Sequence, residues 1–286
     1  MKSNYLKTLF GSAIATTCLI SATGGAAQAG QFYNNWNYSI DSFTDGSGGE
    51  AYNIRGMATM ETSDSIWVAL TGGMPLEGDS NWRAADDNIG WGDLFFNFTG
   101  DGFQTASDNN ALFGVRFAGT NDSGAATTGV YAGVGAAGVA SSNAGYNSLR
   151  HYYNSGYNRT NTMGTDIATK AEAFNYFGKT TPVLNVIASG ERVGDIAMQS
   201  QNALTAAGLD FGNFGASGNH TIGFSFDKSL IASGDYMASL FLECANDGVA
   251  LAGHATEPVP EPATAAGLAF LGLTFLGGKL RRRRDA

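Results

Sequence analysis

The chain has 286 residues, with 16 Lys and Arg against 25 Asp and Glu and a formal net charge of −9. A surface this acidic repels phosphate backbones and anionic bilayers, which excludes nucleic acid as a partner. Two cysteines, Cys18 and Cys244, are too few for a disulfide framework.

Residues 1–29 read as a secretory signal peptide. Lys2 and Lys7 make its positive start, Leu9 to Ile20 its apolar centre, and Ala27-Gln28-Ala29 a small-x-small site for signal peptidase, so that the mature chain begins at Gly30. Cys18 leaves with the peptide. Cys244 is expected as a buried strand residue, because free cysteine packs as a small hydrophobe. Residues 30–257 form the extracytoplasmic body. They hold nine Lys and Arg and 23 Asp and Glu, which brings the body to a net charge near −14.

The body is rich in Gly, Phe and Tyr, and its apolar runs are short and separated by Gly, Asn, Asp and Ser. Strands are predicted at Ile66 to Leu70, closed by Gly72-Gly73, and at Trp91 to Phe98, with Leu94, Phe96 and Phe98 on one face and Phe95 opposite. Phe113, Val115 and Phe117 give another, ended by Gly119-Thr120-Asn121-Asp122. Gly129 to Val139 is a smooth Gly-rich strand. Val183 to Ile187 reads as buried. Ile222, Phe224 and Phe226 alternate, as do Tyr236, Ala238, Leu240 and Leu242. Asn246-Asp247-Gly248 is a turn, and Val249 to Leu251 a last strand ending near Gly253. One helix is predicted from Thr165-Asp166, with Asp166 as its cap and Gly178 as its stop. The expected fold is all-β: a β-sandwich of jelly-roll or lectin-like type with one short helix, or second to that a β-barrel.

The motifs of common chemistries fail on context. Gly133-Val134-Gly135-Ala136-Ala137-Gly138 matches the dinucleotide pattern, but no helix starts inside it and no acid follows about twenty residues on. Gly178-Lys179-Thr180 lacks the upstream glycine of a phosphate loop, and Pro182 sits where its helix would run. His151, His220 and His254 are scattered, without zinc spacing. No nucleophile elbow occurs. No catalytic residue is assigned. Acidic loops are more informative: Glu77, Asp79, Asp86, Asp87 and Asp93 crowd around Trp82 and Trp91, and Asp41, Asp45 and Glu50 share a Gly/Ser-rich loop. Calcium draws its oxygens from such loops, and the first group is the calcium candidate. Trp82 and Trp91 are alternatively a sugar-stacking platform.

Residues 258–286 end the chain with a distinct signal. Val259-Pro260-Glu261-Pro262 is held extended by its prolines. An apolar run from Ala263 to Leu276 follows, with no charge before Lys279, which brings the uncharged stretch close to the lower length limit of a membrane helix; Lys279 and Arg281, Arg282, Arg283 and Arg284 then form a cytoplasmic stop. In order and spacing these parts resemble the PEP-CTERM sorting tail. That resemblance implies a Gram-negative exosortase as partner, transient anchoring in the inner membrane, and delivery to the surface or medium. Ala84-Ala85-Asp86-Asp87-Asn88-Ile89-Gly90-Trp91-Gly92-Asp93-Leu94-Phe95 and the stretch from Ile222 to Gly248 look like a family of cyanobacterial exosortase-dependent surface proteins; the resemblance implies a cyanobacterial host, export and a role at the surface or in extracellular polysaccharide, and it carries no catalytic assignment. The resulting expectation is a non-enzymatic surface protein, structural or carbohydrate-binding. A secreted polysaccharide hydrolase and a calcium-stabilised adhesin are the alternatives.

Overall fold

The computed structural model describes residues 30–258. The predicted signal peptide and sorting tail, including Ala27, Ala29 and residues 259–286, lie outside them. Among the described residues, no helix is long and apolar enough to cross a membrane.

The body is mostly antiparallel β structure, and its strands in chain order are β1 (Gln31–Tyr33), β2 (Trp36–Ile40), β3 (Ile54–Glu61), β4 (Ser65–Gly72), β5 (Asp79–Ser80), β6 (Asn88–Ile89), β7 (Leu94–Asn97), β8 (Leu112–Arg116), β9 (Gly129–Ala137), β10 (Val186–Gly194), β11 (Ala197–Gln199), β12 (His220–Asp227), β13 (Gly234–Phe241) and β14 (Gly248–Ala255). One sheet runs β1-β2-β3-β4-β12-β11 and the second β10-β9-β8-β7-β13-β14, while β5 and β6 form a small ribbon of their own. Each large sheet is thus a meander of four consecutive strands, completed beside its fourth or first strand by a pair from the C-terminal half. The meander opens with a two-residue hairpin in which Asn34 and Asn35 both take positive φ, 49° and 68°. Such turns match strand twist, and Asn tolerates that conformation better than most residues.

The sheets face each other across one core. Ile54, Met57, Val68, Leu70, Ile222 and Phe224 come from the first sheet, and Leu94, Phe96, Val115, Val130, Tyr236, Leu240 and Leu251 from the second. Each such side chain, fully buried, stabilises the fold by about 1.5–3 kcal/mol. Phe224 stacks on Phe117 at 5.1 Å.

The outer faces are covered as well. Trp36, Tyr38, Ile40, Ala58 and Ala69 pack under Leu204, Leu209 and Phe211, and Phe95, Leu112, Tyr131 and Val134 pack under Phe103 and Ala106. This double burial is why Ile66 to Leu70 reads as a continuous apolar run rather than an alternation. The outer edge of β14 is closed by side chains: Ser39 Oγ donates to the Ala250 carbonyl at 2.6 Å, Asn37 Nδ2 to that of Ala252 at 2.8 Å, and the Ala252 amide donates to Asp166 at 2.9 Å. Edges left open are templates for association.

Among the described residues there are four short α-helices, α1 (Phe103–Asp108), α2 (Leu149–Tyr152), α3 (Lys170–Phe177) and α4 (Gln201–Ala206), rather than one. The predicted helix is capped three residues later than expected. Its cap is Thr169, in a capping box with Glu172, and Asp166 is drawn away to β14. Gly178, at φ 89°, ends it. Cys244 is buried and free as expected, but it sits in the turn after β13 rather than in a strand.

Candidate functional site

At Ile40 the chain leaves β2 and enters a loop that reaches the β13–β14 turn. The loop is tied there reciprocally: the Ser47 amide donates to the Asn246 carbonyl at 3.1 Å, and Asn246 Nδ2 to the Ser47 carbonyl at 2.8 Å. The Ile54 amide, at the start of β3, donates to Asp247 Oδ2 at 2.7 Å. These ties bring Asp41, Asp45 and Asp247 together. One oxygen from each lies within 4.8 Å of the others, and among the described residues this is the group of acidic, His or Cys side chains placed to share an ion.

Two of the three carboxylates are fixed by bonds to one side. Asp41 Oδ1 accepts from the Ser42 amide at 2.8 Å and from Asn161 Nδ2 at 2.9 Å. Asp247 accepts from the Ile54 amide and, through Oδ1, from the Gly248 amide at 2.8 Å. Asp41 is 5% exposed, and its Oδ2 has no partner; neither has Asp45 Oδ1. Burial, followed by the negative charge of the neighbours, pushes Asp41 and Asp247 well above the usual carboxylate range. Burial raises Asp45 to about 6. The three line a cavity of about 70 Å³ with Tyr152, Asn161 and Thr165. Tyr152 Oη donates to the Asp45 carbonyl at 2.6 Å, and burial followed by the nearby carboxylates raises its own pKa.

A second hollow, of about 400 Å³, opens on the other side of the same loop and turn. Ser47, Tyr52, Asn81, Arg83, Asn143, Tyr146, His151 and Asn246 line it, and no carboxylate does. Tyr146 packs edge-on against His151 at 5.0 Å and Tyr152 at 5.5 Å. The buried Oδ1 atoms of Asn143 and Asn246 have no protein partner. Trp82, between the lining residues Asn81 and Arg83, is 80% exposed under the Arg83 guanidinium, 5.2 Å from its ring. Aromatic faces beside polar side chains suit a polyhydroxylated ligand.

The acidic group predicted from sequence does not assemble as one set. Asp93 is fully buried, and its carboxylate accepts from Asn121 Nδ2 at 2.9 Å, Ser123 Oγ at 2.5 Å and the Ile187 amide at 2.7 Å. Asp79 accepts from Tyr52 Oη at 2.9 Å. Asp86 accepts from the Asn88 amide, and Glu77, Asp86 and Asp87 are exposed. Trp91 is in the core and donates to the Pro75 carbonyl, so it is no part of a sugar platform. Glu50 turns away from Asp41 and Asp45 to pair with Arg55 at 2.9 Å. Asp247, the member missed in the sequence, had been read only as a turn residue. Of the histidines, His151 lines the groove and His254 pairs with Asp235 at 2.6 Å on the surface.

Comparison with family models, with curated proteins and with solved structures finds no match to this chain.

Proposed function

We propose that the protein is exported, sorted through its C-terminal tail by an exosortase, and delivered to the surface or extracellular polysaccharide of its host. There its β body acts as a non-catalytic structural or carbohydrate-binding module. One observation carries this reading: Pro260-Glu261-Pro262, the apolar run and the Arg281–Arg284 cluster follow one another at the end of a chain that starts with a signal peptide. The groove beside Trp82 supports the carbohydrate version. Its lining offers aromatic faces and amide groups but no carboxylate, whereas a two-carboxylate hydrolase needs a facing acidic pair. A lectin-like sandwich suits two meandering sheets better than a jelly roll, which is built from two Greek keys.

The test replaces Pro260, Glu261 and Pro262 with alanine and reads the C-terminus of the mature chain by intact mass. A shortened, released wild-type chain with the variant retained in the membrane is expected. Full-length protein in the membrane in both cases overturns the sorting reading. Retention of the released chain on purified exopolysaccharide, lost in Trp82→Ala, is the expected result for the groove.

A further inference from the structure

We propose that Asp41, Asp45 and Asp247 form a calcium site that fastens the loop after β2 to the β13–β14 turn. The proposal does not depend on the sorting reading. Three carboxylates meet within 4.8 Å, yet none of the ion pairs among the described residues includes any of them. Arg159 lines the same cavity from its exposed side without pairing. Like charges this close in a partly dry pocket repel strongly, and they coexist only by keeping protons or by sharing a cation.

The unpartnered oxygen favours the cation. Asp41 is 5% exposed; its Oδ1 is held by the Ser42 amide and by Asn161, while Oδ2 has no amide or hydroxyl donor and the Asp247 carboxylate lies within hydrogen-bonding reach of Asp41. A buried carboxylate oxygen without a donor is costly to keep unless an ion takes it up. Asp45 Oδ1 offers the same, and Asp247 is aimed from the opposite sheet by two amides. The arrangement is rigid on the bonded side and free on the other, as a preorganised ligand set must be.

The donor set selects the ion. The cavity presents three carboxylates and no His or Cys; Asn161 turns its Nδ2 to Asp41 and its Oδ1 to the Met163 amide, and the Thr165 hydroxyl is bonded to Ser39 and the Ala250 carbonyl. Oxygen alone suits hard cations over zinc or copper. A cavity of about 70 Å³ has room for one ion and a few waters. Calcium accepts irregular shells of six to eight oxygens, whereas magnesium demands a near-ideal octahedron. Filling the site would lock Ser47 and Asn246, which wall the aromatic groove.

The full-length chain, purified in detergent and stripped with chelator, is titrated with Ca²⁺ alone. Binding is read by thermal unfolding and by terbium luminescence excited through Tyr152 and Tyr153. One equivalent is expected, with a rise in melting temperature of about 5–10 °C at roughly 100-fold excess over Kd, and a smaller rise with Mg²⁺. Asp45 is half-buried and bonds within its own loop, so Asp45→Asn should fold; it should bind calcium at least about tenfold more weakly and lose the thermal shift. Asp41→Asn should do the same, and exposed Asp86→Asn should not. A wild-type chain with no shift and no luminescence at about 10 mM calcium, or Asp41→Asn and Asp45→Asn variants that keep the wild-type shift, would overturn the proposal.

Discussion

Asp93 and Asp41 are both almost completely buried aspartates, and the fold treats them in opposite ways. Around Asp93 every bond is closed: Asn121, Ser123 and the Ile187 amide fill the carboxylate, and Arg116 beyond Asn121 is itself spent on the carbonyls of Gly119 and Asn121 at 3.0 Å. Around Asp41 one oxygen is filled and the other left open, with two further carboxylates turned toward it. Closed bonding marks a carboxylate that holds a structure together. Open bonding among like charges marks one that waits for something to bind.

Removing the Asp93 side chain should therefore have the largest effect. Asp93→Ala strands an amide, a hydroxyl and an Asn side chain in the interior, and should cost about 3–5 kcal/mol in urea unfolding, equally with calcium and with chelator. A loss below about 1 kcal/mol would break the contrast.

Glu243 sharpens it, because this carboxylate has both oxygens bonded and still resists ionisation. It is 1% exposed and accepts from the Gly90 amide at 2.6 Å and the Asp122 amide at 2.5 Å. Burial, and then the charges of Asp122 and Asp86, push it from 4.5 to about 7. With the folded pKa above the unfolded one, the native state binds more protons between these values. Stability is full below about 4.5 and falls as pH rises toward 7, by up to about 3 kcal/mol. Glu243→Gln should flatten that part of the unfolding profile in chelator; an unchanged slope would contradict the assignment.

The cluster should respond with the reverse sign to Asp93. In chelator, Asp41→Asn relieves repulsion and should leave stability unchanged or raise it by about 1 kcal/mol, while it destabilises relative to wild type in calcium. Smallest of all is Trp82→Ala, which removes an exposed side chain and should change stability by less than about 0.5 kcal/mol while abolishing glycan retention.

Much of this fold was legible because its strands advertise themselves. β7, β8, β12 and β13 alternate with period 2, and the faces assigned to Leu94, Phe96, Val115, Phe224 and Leu240 are the faces found in the core. Of the first meander only β4 was legible, as the run from Ile66 to Leu70. Ile54-Arg55-Gly56-Met57-Ala58-Thr59 mixes polar and apolar residues because its second face is covered by Phe211 and its neighbours, not by solvent. The start of α3 was readable but misread, since Thr169-Lys170-Ala171-Glu172 is a capping box in plain sequence. Two of the three members of the acidic cluster were visible as loop residues. The third member arrives from the far end of the chain, where nothing local distinguishes a turn aspartate from a ligand.

The β13–β14 turn also has a mechanical meaning. β14 is an edge strand whose backbone ladder runs to β13 alone, and the tail leaves from its Ala255 end. A pull on the C-terminus therefore loads the hairpin in an unzipping direction, one pair at a time from Gly234↔Ala255 toward Phe241↔Gly248. The load first meets Thr256, whose amide and hydroxyl donate to Glu61 of β3, and then the bonds from Asn37 and Ser39 of β2 to the Ala252 and Ala250 carbonyls, before the tear reaches Asp247, the residue tied to β3 and to the carboxylate cluster. A chain pulled from this end therefore releases its edge strand in steps, each held by a tie to the opposite sheet.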